Sequence, residues 1–107
     1  MEFKGRWNIY EMEVWDEDYF NEEVQAFIHI DSDGVGEFQF GYVFAEIDGK
    51  IVKYPDGERF EFSWAGSDEN DPINGSGWIK TKNADTIEGE FRIHFSDDST
   101  FLARRAE

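Results

Sequence analysis

Turn signals cut this sequence into pieces of strand length: Asp33-Gly34, Asp48-Gly49, Pro55-Asp56-Gly57, Asn74-Gly75, Asn83-Ala84-Asp85 and Ser96-Asp97-Asp98-Ser99. Such residues tolerate the backbone angles that hairpins need, and their short spacing favours a meander over helical crossovers. Between them the residues alternate. Phe38, Phe40, Tyr42 and Phe44 share one face, Phe60, Phe62 and Trp64 another, and Ile87, Phe91, Ile93 and Phe95 a third. Glu37, Gln39, Arg59, Glu61, Ser63, Glu88, Glu90, Arg92 and His94 point the opposite way, the period of a strand wetted on one side. Eight strands are predicted, over 5–14, 26–31, 36–47, 50–54, 58–65, 77–82, 86–95 and 100–105. One short helix is expected from Asp16 to Gln25, with acidic residues at its start and a stripe of Tyr19, Phe20 and Val24. Residues 66–75 read as the one long irregular stretch.

The apolar residues agree with sheet. Eleven Phe, four Trp, four Tyr, nine Ile and five Val stand against a single Leu, and aromatic and β-branched side chains suit a pleated, half-buried surface. A chain of 107 residues has the size of one domain, here expected over 1–107. About eight antiparallel strands in simple up-and-down succession either close into a small barrel, which removes the exposed edges, or split into a sandwich; closure is the expectation. Gly36, Gly41 and Gly89 within strands would let the sheet bend or admit a large neighbour.

The formal charge is −15, and residues 7–49 hold twelve Asp or Glu and no Lys or Arg. Such a surface repels phosphate backbones and anionic membranes, so neither nucleic acid nor a membrane is expected as partner. Cations or basic proteins remain open as partners. No apolar run reaches the ~20 residues of a spanning helix, and the start lacks the pattern of a secretory signal, so a cytoplasmic location is expected. With no cysteine, disulfides and thiolate chemistry are excluded.

Gly5-Arg6-Trp7, followed by a meander and a last strand with Arg104 and Arg105, resembles the calycin, or lipocalin-like, barrels. The resemblance implies that Gly5 and Trp7 open the barrel and that Arg104 or Arg105 packs over the Trp7 ring near a closed end. A guanidinium on an indole is worth about 0.5–2 kcal/mol and would tie the first strand to the last. Trp15-Asp16-Glu17-Asp18, Gly36-Glu37-Phe38-Gln39-Phe40-Gly41, the run from Trp64 to Pro72 and Gly75-Ser76-Gly77-Trp78 are similar to a group of bacterial single-domain proteins of undetermined activity. That likeness supplies no reaction.

Strict alternation from Trp7 and Ile9 sends Glu11 and Glu13 inward. A β-bulge near Tyr10 restores the faces at the cost of one residue of register; otherwise one of these carboxylates is buried, with a role in binding or proton transfer. An aromatic interior admits two readings. In the first, the barrel binds a small apolar or aromatic ligand at an end framed by residues 66–77, with Phe40, Tyr42, Phe62, Trp64, Trp78, Glu11 and Glu13 as contacts. In the second, the rings fill the interior and the outer surface binds a protein, as a homodimer or with a basic partner. An enzyme built on Glu11 or Glu13 comes third, because no nucleophile motif or phosphate loop is present. No cofactor is expected. Asp68, Glu69 and Asp71 are weak candidates for a hard cation, and His29 and His94 read as surface residues.

Overall fold

The computed structural model describes residues 2–106. Eight antiparallel strands follow one another around a closed barrel in chain order: β1 (Gly5–Met12), β2 (Phe27–Ile30), β3 (Val35–Phe40), β4 (Val43–Tyr54), β5 (Gly57–Asp68), β6 (Asp71–Asn83), β7 (Thr86–Ile93) and β8 (Asp98–Arg105). β1 pairs with both β2 and β8, which closes the sheet. One short helix, α1 (Glu17–Phe20), joins β1 to β2. The all-β meander, its closure and the helix after the first strand are therefore as expected.

Several boundaries differ. The segment 36–47 is two strands, because Gly41 and Tyr42 form a tight turn that pairs Phe40 with Val43. Val43, Ala45 and Ile47 inherit the inward face and Phe44 is turned out, 41% exposed. Asp48-Gly49 is not a turn but the middle of β4. A side chain at Gly49 would lie 2.6 Å from the Phe60 ring, so glycine is there to admit a neighbour. Asn74-Gly75 likewise lies inside β6, where a side chain at Gly75 would collide with the Arg92 carbonyl of the neighbouring strand and with the Trp64 ring. The stretch read as irregular, 66–75, is the tip of the β5–β6 hairpin. Only Glu69 and Asn70 separate the strands, with φ of 52° and 100°, the two positive values that a tight primed turn requires. The helix is shorter than the expected 16–25; Asp16 caps it by accepting from the Tyr19 N–H at 3.1 Å, and Val24 is exposed.

The core is a column of rings. Phe91 stands in the centre, 4.3 Å from both Phe38 and Phe101 and 5.4 Å from Phe40. Trp64 meets Phe38 edge-on at 5.2 Å. Phe3 and Phe60 lie toward the end holding the termini, and Phe20 of the helix and Trp15, 4.9 Å from Phe40, cover the other. Offset and edge contacts of this kind add to the burial of the rings themselves. Phe95, expected inside, is not part of the column. β7 ends at Ile93, and Phe95 sits in the following turn at φ 62°, 96% exposed.

Candidate functional site

The register of β1 against β8 shifts between Ile9 and Glu11. This bulge at Tyr10 keeps Trp7, Ile9 and Met12 inside and places Glu11 and Glu13 on the exterior. Glu13 accepts from the Thr100 N–H at 3.3 Å and from its hydroxyl at 3.4 Å, a strand-end tie and not a buried acid. The buried-carboxylate alternative is thereby removed.

The proposed ligand contacts do not form one pocket: Phe62 and Trp78 border one groove on the outer wall, and Glu11, Glu13 and Trp78 border another. Phe40 and Phe62 are core rings, and Trp64 is buried with its indole N–H donating to the Ser76 carbonyl at 3.0 Å. Tyr42 lies on the β3–β4 turn, its hydroxyl 3.4 Å from the Glu22 carboxylate. Trp78 faces outward, half-buried, with the Arg59 guanidinium 4.5 Å from its centre. The framing loop is hairpin. Asp68, Glu69 and Asp71 surround its tip, and among the described residues no three His, Asp or Glu side chains are grouped to hold a metal.

At the end holding the termini Gly5 adopts φ 120°, and Arg105 lies 4.0 Å over the Trp7 ring while donating to the carbonyls of Lys4 and Glu2. The neighbouring Arg104 covers Tyr10 at 3.9 Å instead.

The opposite end gathers negative charge. Gly41 N–H donates to the Phe20 carbonyl at 2.8 Å, and Glu69 N–H reaches the Tyr42 carbonyl at 3.4 Å, so helix, β3–β4 turn and β5–β6 tip meet. Glu17, Asp18, Glu22, Glu23, Asp68, Glu69 and Asp71 thus share one rim. Its field is felt by two tyrosines. Burial, then the charge of Asp68, pushes the Tyr19 phenol up from its ordinary value; Glu22, first by charge, pushes Tyr42 up. The β7–β8 turn, where the His94 and Phe95 rings lie 3.9 Å apart and tilted by 34°, is at this same end of the meander. Phe95 was missed as a surface residue because alternation continues through Phe91, Ile93 and Phe95 in the sequence. Only the Ser96-Asp97-Asp98 turn signal hinted that the strand stops earlier.

Fold and surface together define a closed eight-stranded antiparallel barrel with a ring-filled interior and an acidic, aromatic-bearing end. Comparison with known protein families, curated proteins and solved structures gives no match. No helix among the described residues is long and apolar enough to cross a membrane.

Proposed function

We propose that this chain is a cytoplasmic, non-enzymatic binding module that holds a basic protein partner against its acidic end. The observation that carries this reading is the placement of aromatic groups: the interior is occupied by the protein's own stacked rings, while Phe95 stands 96% exposed at the acidic end. An exposed ring at the same end of the barrel as a cluster of carboxylates suits a basic segment, with charge steering the encounter and the ring supplying the apolar contact. Arg105 over Trp7 supports the finer reading of the scaffold as calycin-like. In this chain the lumen serves as core, and recognition is assigned to the outside.

A labelled Lys-rich peptide carrying Leu residues, compared with its Glu-for-Lys counterpart, tests the reading. The basic peptide is expected to shift amide signals of residues 16–23, 41–42, 68–71 and 94–97. Its affinity should fall with salt, and about tenfold in Phe95→Ser, the equivalent of ~1.4 kcal/mol. Equal binding to wild type, to Phe95→Ser and to a Glu22→Gln, Glu23→Gln, Glu69→Gln variant would sink the idea. A homodimer in native mass spectrometry that dissociates in Phe95→Ser would assign the ring to self-association instead.

A further inference from the structure

Away from the acidic end, the outer wall of β4 to β7 carries a trough of about 670 Å³. The strand register builds it. One outward row runs Lys50, Glu61, Trp78, Glu90, each directly opposite the next, and the adjacent row runs Asp48, Ser63, Ser76, Arg92. The centre of the second row is two short serines. Gly49 and Gly77, between the rows, add no side chain, so the floor is backbone with the Phe62 ring beneath. Trp78 forms the wall.

We propose that this trough binds one ring of a neutral oligosaccharide, a hexopyranose unit seated against Trp78. The charges decide among ligand classes. An anion would face Asp48, Glu61 and Glu90, and a cation would face Lys50 and Arg92. An apolar molecule would take water from all five and return no hydrogen bonds. A neutral polyol donates to the carboxylates and accepts from Lys50, Arg92 and the serine hydroxyls, and its C–H face is apolar enough to lie on an indole. The lining is also held in place before any ligand arrives. Glu61 accepts from the Tyr54 hydroxyl, Arg92 pairs with Asp98 at 3.5 Å, and Arg59, itself over Tyr54 at 4.9 Å, lies against Trp78. Preorganised groups lose little freedom on binding. This site is independent of the acidic end, and either can fail alone.

Titration of the intact protein with cellotetraose, maltotetraose and chitotetraose, followed by amide and indole NMR, reads the proposal directly. At least one of the three is expected to give saturable shifts in the Trp78 indole signal and in residues 61–63 and 76–78. The Trp7 indole, bonded to the Phe3 carbonyl at the end holding the termini, should stay still. Trp78→Ala should weaken binding at least tenfold. Because that change also removes the packing of Arg59, Ser63→Tyr is the second variant: it fills the trough from an exposed strand position and should abolish the shifts while the remaining spectrum stays folded. Absence of saturable shifts with all three sugars overturns the proposal. So does binding that survives Ser63→Tyr, or that maps to another face.

Discussion

Three tyrosines report how the surface is wired, and each does so for a different reason. Tyr54 is pushed up from 10.0 first by its hydrogen bond to Glu61, Tyr42 first by the charge of Glu22, and Tyr19 first by burial. A raised phenol favours the protonated form in the fold. Its stabilising contribution is therefore complete below the unfolded value and lost as pH rises through the folded one, so stability should decline above about pH 10. An ultraviolet titration of phenolate should find these three groups ionising above 10.0. Added salt should lower the Tyr42 midpoint more than that of Tyr54, since salt screens charge at exposed sites better than it breaks a hydrogen bond. A Tyr54→Phe variant identifies its step. Equal salt shifts for Tyr42 and Tyr54 would contradict the assignment of causes. At this scale the sequence was informative about Trp7, whose arginine partner it narrowed to two neighbours. It was silent on Glu61 and Glu22 as tyrosine partners, because those contacts depend on register and on how the helix returns to the sheet.

At the scale of elements, the bulge in β1 is the clearest case of a sequence conflict that the fold resolves. Trp7 and Ile9 fit one phase of the alternation and Met12 the other, and an extra residue between them reconciles both with one core. Deleting Tyr10 should then be tolerated. The shortened strand would keep Ile9 opposite Ala103, Glu11 opposite Leu102 and Met12 opposite Phe101, the pairs it makes now. What disappears is the contact of Tyr10 with Arg104, so the loss in urea-unfolding free energy should be about 0.5–2 kcal/mol, the range of a cation–π contact. An unfolded deletion variant would mean that the bulge itself shapes the barrel. The same logic explains which elements were legible. Turns at Asp33-Gly34 and Pro55-Asp56 kept their meaning because Gly34 and Gly57 there have φ of 87° and 140°. The glycines at 49 and 75 look identical in sequence, yet they answer to rings and neighbouring backbone packed against them, information that only the closed sheet contains. The Glu69-Asn70 turn went unread for the opposite reason, since no glycine marks it.

For the whole molecule, closure and charge pull against each other. Pairing β8 with β1 joins the two ends of the chain and leaves no free edge, while the compact shape crowds 25 acidic residues around only 10 basic ones. Among the described residues two ion pairs of Lys or Arg, Lys80–Glu88 and Arg92–Asp98, relieve this. Most of the excess is therefore unpaired repulsion that unfolding would dilute. Raising sodium chloride from about 0.01 M to about 1 M shortens the screening length from roughly 30 Å to 3 Å, well inside the spacing of charges across this surface. The urea midpoint at neutral pH should rise with it, without a change in the slope that reports exposed area. A Glu22→Gln, Glu23→Gln, Glu69→Gln variant should gain less from salt than wild type, because these three carboxylates lie on the most crowded rim. The same three removed from the mixed-charge wall of β4 to β7, as Asp48→Asn, Glu61→Gln and Glu90→Gln, should leave the salt gain closer to wild type, since Lys50 and Arg92 already offset them. Equal responses in the two variants would show that the acidic end is no more strained than the rest of the barrel. Its charge would then be a matter of solubility alone, and the case for a basic partner there would lose its electrostatic basis.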